Sequence, residues 1–161
     1  MKELEITKGQ VLQRSGDLHT SIFVVKSGLL RSYTIDEKGK EHIFMFAPEG
    51  WIIADSLPAD IPADLFIDAL EDSVVIQKEK VFEDSNHDTK KLLNRLGVLQ
   101  KRIIMLISTP ALDRYEHFIN TYPDIVQRVP QRMVASFLGI TPEALSSVKR
   151  KRQFMQRSGE I

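Results

Sequence analysis

Several features that are common in proteins of this size are missing from this chain of 161 residues. It contains no cysteine, which excludes disulfide bonds, thiolate-ligated metal sites and iron–sulfur clusters. It has no apolar run of membrane-spanning length, and its start, Met-Lys-Glu-Leu-Glu, lacks the apolar core of a signal peptide. We therefore expect a cytoplasmic protein with no membrane contact.

Recognisable catalytic motifs are lacking as well. The sequence has neither a Gly-x-Ser-x-Gly nucleophile elbow nor a glycine-rich phosphate loop followed by lysine. The four histidines, His19, His42, His87 and His117, are too scattered to share a metal at ligand spacing. We predict no catalytic residue, no metal site, no cofactor and no enzyme activity.

Positive charge is concentrated toward the end of a chain whose net charge is zero. Residues 1–108 carry 14 Lys/Arg and 17 Asp/Glu, and residues 109–161 carry 8 and 5, which together give the 22 and 22 of the whole chain. The net charges of these two parts are therefore −3 and +3. A basic excess confined to one segment is the electrostatic footprint expected of a nucleic-acid contact.

Residues 131–152 have the pattern of two short helices joined by a tight turn. Gly139 suits the end of the first helix, because glycine adopts a positive φ without steric cost. Thr141 suits the N-cap of the second helix, and Pro142 suits its first position. This arrangement is typical of a helix-turn-helix, whose second helix enters the DNA major groove. The alternative is an ordinary amphipathic helix pair with a solvated basic end.

The second of these helices has an apolar inner face and a polar outer face. Ala144, Leu145 and Val148 form the inner stripe. The outer face carries residues spaced i, i+3, i+4 and i+7, whose short or forked side chains can approach base edges. The predicted DNA-binding set comprises Glu143, Ser146, Ser147 and Arg150 toward the bases, Gln131, Lys149, Lys151 and Arg152 toward the phosphates, and Thr141 at the turn.

The first half of the chain has the pattern of short strands separated by turns. Glycines recur at intervals of 7 to 12 residues between Gly9 and Gly50, which is typical of an antiparallel roll or barrel. Runs rich in β-branched and aromatic residues predict strands at residues 21–26, 29–35 and 40–46, and, after Gly50, at residues 66–70 and 74–77.

A long amphipathic helix is predicted over residues 89–107, followed by a second helix over 112–122. In the long helix, apolar residues spaced 4, 3, 4 and 3 form an a/d seam, and further apolar residues widen the surface to two faces. We predict that this seam is the interface of a homodimer. The alternative is one buried helix in a monomer. The seam consists of Leu92, Leu96, Leu99, Ile103 and Leu106.

In the order of these parts the chain resembles the Crp/Fnr family of bacterial transcription regulators. Residues 8–10, 15–17, 23–31, 46–51 and 69–73 are similar to the start of that family's cyclic-nucleotide-binding-like roll. Ile140-Thr141-Pro142-Glu143-Ala144-Leu145-Ser146 resembles its turn and recognition helix. The resemblance implies an α+β fold, with an antiparallel β-roll and dimerisation helix in residues 1–108. Residues 109–161 would form a helix-turn-helix domain with little or no wing.

The same resemblance implies a homodimer that binds a pseudo-palindromic site in double-stranded DNA and is regulated at the roll. Family members often carry arginine at the position of Ser147, where it reads guanine, so the base preference here would rest more on Arg150 and DNA shape. The alternative is a ligand-sensing or protein-interaction module of the same fold that no longer reads DNA. Because some relatives are gas sensors, haem bound through one histidine is a further alternative.

The effector region departs from family members that bind cyclic AMP. The cassette begins Gly50-Trp51, Ala54-Asp55 stands where a second Gly-Glu is expected, and residues 52–77 contain no lysine or arginine. An anion would be repelled there, so we predict that cyclic AMP does not bind. The candidate lining of a pocket for an unknown neutral or cationic effector is Gly50, Trp51, Asp55, Asp64 and Phe66; the alternative is that these residues are ordinary core and rim.

Overall fold

The computed structural model describes the backbone of residues 1–80 and 89–158, and the side chains of residues 1–80, 93 and 96–158. The chain divides into two compact units, Met1–Phe82 and Glu83–Ile161. The long helix therefore falls in the C-terminal unit, whereas the sequence grouped it with the strands. Among the described residues, none of the helices combines the length and the apolar character that a membrane crossing requires.

The N-terminal unit is built from eight strands that form two four-stranded sheets. The order of the strands is β1-β8-β3-β6 in one sheet and β2-β7-β4-β5 in the other, and neighbouring strands pair antiparallel. The predicted antiparallel β-roll is confirmed. The strands are β1 (Lys2–Ile6), β2 (Val11–Gln13), β3 (Ser21–Ser27), β4 (Leu30–Ile35), β5 (Glu41–Ala47), β6 (Ile52–Ile53), β7 (Phe66–Ala69) and β8 (Ser73–Glu79).

The core of the roll lies between the two sheets. Phe23, Val25 and Val75 come from one sheet, Leu30 and Ile67 from the other, and all five are almost fully buried in one cluster. Alternation along each strand places these residues on the inner side, because successive side chains of a strand point to opposite faces. The five strands predicted from the sequence correspond to β3, β4, β5, β7 and β8.

The turn between β3 and β4 requires a glycine. Gly28 has φ +90°, and a Cβ atom there would overlap with Ser73 Oγ and lie 2.6 Å from the Asp72 carbonyl oxygen. The Ser73 hydroxyl oxygen also accepts a hydrogen bond from the Leu29 N–H at 3.2 Å. The close approach of the two loops thus depends on the absence of a side chain at residue 28.

The C-terminal unit is helical. Its core contains an aromatic cluster of Phe118, Tyr122 and Phe137, with ring centroids 5.2–5.7 Å apart. The predicted long helix and the two helices of the 131–152 segment are present, and the last one continues beyond its predicted end at residue 152. The helices are α1 (Thr89–Ser108), α2 (Ala111–Thr121), α3 (Ile125–Arg128), α4 (Gln131–Phe137) and α5 (Pro142–Ser158).

Candidate nucleic-acid interface

The turn between α4 and α5 has the geometry that the sequence predicted. Gly139 has φ +65°, and the next N–H, that of Ile140, donates to the Ala135 carbonyl at 3.0 Å. Thr141 Oγ1 accepts a hydrogen bond from the Ala144 N–H at 3.2 Å, which satisfies one of the unpaired donors at the start of a helix. Thr141 is therefore the N-cap of α5.

The helix pair is held by its inner face and by an arginine from α2. Leu145 and Val148 of α5 are buried, as is Val134 of α4. Arg114 Nη1 donates to the Leu138 carbonyl at 3.0 Å. Carbonyls at the end of a helix lack a donor within the helix, and the arginine supplies one here. These contacts fix α5 on the unit and leave its other face to solvent.

The predicted base-contacting residues share that exposed face. The Ser146 and Ser147 hydroxyls donate to the carbonyls of Pro142 and Glu143, at 3.0 and 3.1 Å, which leaves their oxygens available as acceptors. Arg150 Nη2 lies 3.4 Å from Ser147 Oγ, so the guanidinium extends along this face.

Glu143, in the first turn of α5, is an ionised carboxylate at neutral pH. Hydrogen bonds from its own backbone N–H and from Thr141 hold its pKa below the ordinary value. A carboxylate here is stabilised by the positive end of the helix dipole. It can accept a hydrogen bond from the amino group of cytosine, the base-edge donor that suits an acidic side chain.

The residues predicted to hold phosphates differ in their surroundings. Gln131 and Lys151 are exposed, and Lys149 is partly exposed. Arg152 is instead half-buried, and its Nε lies 2.6 Å from Glu116 Oε1 of α2. This ion pair joins α5 to α2, which favours a structural role for Arg152 over the predicted phosphate contact.

Two further exposed residues lie on the last turns of α5, beyond the predicted end of the helix. Phe154 has 70% of its surface exposed, and Arg157 is exposed as well. Both continue the 3–4 residue spacing of Glu143, Ser147 and Arg150, so they lie on the same face. The signal was present in the sequence, but we expected the helix to end near residue 152.

Asp55 holds the loop that carries the candidate effector residues. It is 4% exposed, and its carboxylate accepts hydrogen bonds from the N–H groups of Leu57, Asp64 and Leu65 at 2.8, 2.9 and 3.0 Å. Nearby, Lys80 Nζ donates to the Leu57 carbonyl at 3.1 Å. Burial lowers the pKa of Lys80, and the negative charge of Asp55 opposes that effect.

Phe66 belongs to a different cluster from Asp55. Its ring stacks on Tyr33 with centroids 5.3 Å apart, and the guanidinium carbon of Arg31 lies 4.1 Å from the Tyr33 ring centroid. Arg31 forms a two-point ion pair with Asp68, at 2.8 and 2.9 Å, and a second ion pair with Glu41. Burial alone would lower the pKa of Arg31, but these hydrogen bonds outweigh it and raise the pKa.

The five candidate effector residues thus make their contacts in three separate places. Asp55 binds the Asp64 backbone, Phe66 packs on Tyr33, and Trp51 is 38% exposed beside Gly50 on the turn before β6. A cavity of about 210 Å³ lies elsewhere in the roll and is lined by Gln13, His19, Thr20 and their neighbours. Within the described ranges, no group of three or more His, Asp or Glu side chains is placed to hold a metal ion.

Two of the four described residues of the predicted dimer seam are exposed in the single chain. Leu96 and Ile103 are 52% and 56% exposed, whereas Leu99 and Leu106 are half-buried. The Leu92 side chain lies outside the described residues. Neighbouring apolar side chains are also exposed, namely Leu93, Val98, Ile104 and Ile107. Exposed apolar residues in such number on one helix are typical of an interaction surface.

The sequence matches the family model of the cyclic nucleotide-binding domain over residues 3–81. It is 27% identical over 164 residues to an anaerobic regulatory protein of Aggregatibacter actinomycetemcomitans, a match that covers 88% of this chain and 63% of the relative. It is 28% identical over 162 residues to a fumarate and nitrate reduction regulatory protein of Vibrio cholerae, covering 88% and 64%. The chain thus spans less than two thirds of the length of these relatives.

Solved structures of regulators share the fold. FixK2 from Bradyrhizobium japonicum superposes with a TM-score of 0.74 at 18% identity, covering 98% of this chain and 85% of the other. A transcriptional regulator of the CRP/FNR family from Thermus thermophilus superposes with a TM-score of 0.68 at 15% identity, covering 98% and 87%. At these identities the likeness shows a shared fold, with a β-roll followed along the chain by a long helix and a helix-turn-helix.

Proposed function

This chain belongs to the Crp/Fnr family, and from that membership we propose that it is a cytoplasmic transcription regulator that binds DNA as a homodimer. The observation that carries the proposal is the exposed face of α5. It presents a carboxylate, two hydroxyls and an unburied guanidinium at successive helical positions, on a helix whose other face is anchored. Such a face suits readout of base edges in the major groove.

Dimerisation is proposed from the exposed apolar face of α1. A second copy would remove Leu96, Ile103 and the exposed residues beside them from water, which is favourable in proportion to the apolar area buried. The same pairing would present two α5 helices to half-sites about one helical turn of DNA apart, so the operator should be an inverted repeat.

We further propose that the roll does not respond to cyclic AMP. In relatives that bind it, backbone N–H groups of the loop meet the cyclic phosphate. Here the N–H groups of Asp64 and Leu65 already donate to the buried carboxylate of Asp55. A phosphate would have to displace that carboxylate and would meet its negative charge.

A second candidate function is a ligand-sensing or protein-interaction module that no longer reads DNA. Ser147, at the position where relatives often carry an arginine, motivates it. The two candidates differ in what α5 does, because the second leaves its polar face without a sequence-specific role.

Selection from a random double-stranded DNA library at near-physiological salt tests the proposal. Wild type should enrich an inverted repeat, and Arg150→Ala should lose about 1–3 kcal/mol of binding free energy on that sequence. Arg150→Lys is the matched control, because it keeps the charge but not the planar two-point donor. No enrichment by wild type would favour the second candidate.

Thermal unfolding with cyclic AMP tests the sensor separately. A ligand that binds only the folded state raises the Tm, so millimolar cyclic AMP should leave the Tm of the roll unchanged. A concentration-dependent rise would contradict the proposed loss of cyclic-nucleotide binding.

A further inference from the structure

Phe154 is an aromatic side chain exposed to solvent near the end of α5, where every other residue of 149–158 except Met155 is polar. It is 70% exposed, although its ring would gain free energy by leaving water. It follows Ser147 by seven residues and Arg150 by four, so it lies on the predicted DNA face and not on the buried stripe of Leu145 and Val148. An exposed ring at this position indicates a contact with a binding partner that would cover it.

The charge around Phe154 favours a polyanionic partner. Arg150, Lys151 and Arg157 lie within four residues of it and are exposed. Glu143 is the single acidic residue of α5, and it lies in the first turn of the helix. A ring surrounded by cations fits the mixed surface of DNA, where phosphates alternate with apolar methyl and sugar groups.

The length of α5 carries Phe154 beyond the bases that the first turns contact. Eleven residues separate it from Glu143, which corresponds to about 16 Å along the helix axis. The major groove is about 12 Å wide, so a helix that lies across it has its last two turns beyond the bases that its first turns contact.

On the basis of the proposed function, we propose that Phe154 contacts DNA. Its ring packs against the 5-methyl group of a thymine at the outer end of each half-site, and Arg157 binds the adjacent phosphate. Apolar contact with this methyl group distinguishes thymine from the other bases. The protein would thereby gain specificity for a position that the first turns of α5 do not reach.

A set of binding measurements on the selected operator tests this contact. Affinities are measured over a range of salt concentrations for wild type, Phe154→Ala, Phe154→Leu and Arg157→Ala. Phe154→Ala should bind about tenfold more weakly than wild type, with an unchanged slope of log K against log salt. The affinity of Phe154→Leu should lie between those of wild type and Phe154→Ala. Arg157→Ala should reduce that slope by about one, because one phosphate contact is lost.

Replacing the outer thymine by deoxyuridine removes only the methyl group. Wild type should lose affinity on this operator, and Phe154→Ala should not. Equal losses in both proteins, or an undiminished affinity of Phe154→Ala for the unmodified operator, would overturn the contact. Loss of the dimer by Phe154→Ala in sedimentation would show instead that the ring meets a second copy.

Absence of any selected operator for wild type would refute the proposed function and this contact with it. Unfolding of Phe154→Ala should match wild type, because the removed ring is mostly exposed. A lowered Tm would show that the ring supports the fold of α5, which would also overturn the proposal.

Discussion

The guanidinium of Arg102 lies over the ring of Phe137, with its central carbon 4.2 Å from the ring centroid. The arginine is on α1 and the phenylalanine on α4, so a cation–π contact joins the proposed dimer helix to the helix-turn-helix. Burial lowers the pKa of Arg102, and the nearby Tyr122 offsets part of that effect. Such a contact is stronger when desolvated than at the surface.

Arg102→Met should destabilise the C-terminal unit by about 1–2 kcal/mol, because the side chain keeps its apolar stem but loses the charge. All helices of the described residues belong to this unit, and the one tryptophan, Trp51, belongs to the roll. The urea midpoint followed by circular dichroism at the helix band should therefore be lower than in wild type. The urea midpoint followed by tryptophan fluorescence should be the same as in wild type. Arg102→Lys is the control; a loss as large as that of methionine would mean that the planar guanidinium matters more than its charge.

Arg31→Met should cost the roll about 3–5 kcal/mol of unfolding free energy, because it leaves the Asp68 carboxylate buried without its cation. Tryptophan fluorescence during urea denaturation measures the change. The double variant Arg31→Met with Asp68→Asn should recover part of the loss. An equally unstable double variant would show that the packing of the arginine on Tyr33, and not the ion pair, supports the sheet.

Two glycine-to-alanine changes should differ in their cost. At Gly139 a Cβ atom would meet only ordinary contacts, 3.7 Å from Arg114 Nη1 and Leu106 Cδ2, so alanine should cost about 1–2 kcal/mol for its left-handed backbone. At Gly28 alanine would have the same backbone cost, and its Cβ atom would also overlap with Ser73. The loss of unfolding free energy there should therefore exceed about 3 kcal/mol. Equal losses at both positions, measured by denaturation of each unit, would contradict this geometry.

Acid should remove a contribution that Asp36 makes to the stability of the β4–β5 turn. Its carboxylate bonds His42 Nε2 and the N–H groups of Lys40 and Lys38, all at 2.9 Å, and these bonds lower its pKa from the ordinary 3.8. A lowered folded pKa means that the stability is present above pH 3.8 and is lost as the pH falls through the folded value.

The stabilisation of wild type relative to Asp36→Asn should thus shrink as the pH falls below 3.8. Salt should reduce it, because the group is exposed. A difference that grew on acidification would show that the carboxylate opposes folding.

The sequence predicted those elements whose signals are local. β-branched runs between glycines located β3, β4, β5, β7 and β8, and Gly139 with Thr141 located the turn before α5. β1 was missed because only two of its five residues, Leu4 and Ile6, are apolar, and its pairing with β8 joins the two ends of the roll. α3 has four residues, too few for a helical period to be recognised.

The side-chain pairings of the site depended on tertiary structure. Nothing in the sequence around Arg152 reveals that Glu116, 36 residues earlier, neutralises it. Asp55 was predicted to line an effector pocket, because its bonds to the Asp64 and Leu65 backbone arise from a fold of the loop that residue types alone do not encode. The end of α5 was predicted too early, although Gln153 to Ser158 contain no strong helix-stop residue and are compatible with a longer helix.

The buried carboxylate of Asp55 acts as an internal ligand of the roll. The loop N–H groups that an incoming anion would bind already donate to this carboxylate of the same chain. Under the proposed function, regulation by an anion at this loop would have no empty and filled states to switch between. The amount of protein would then be one variable that controls operator occupancy. Where the homodimer is weak, its concentration rises with the square of the monomer concentration, so a twofold change in synthesis would change occupancy about fourfold.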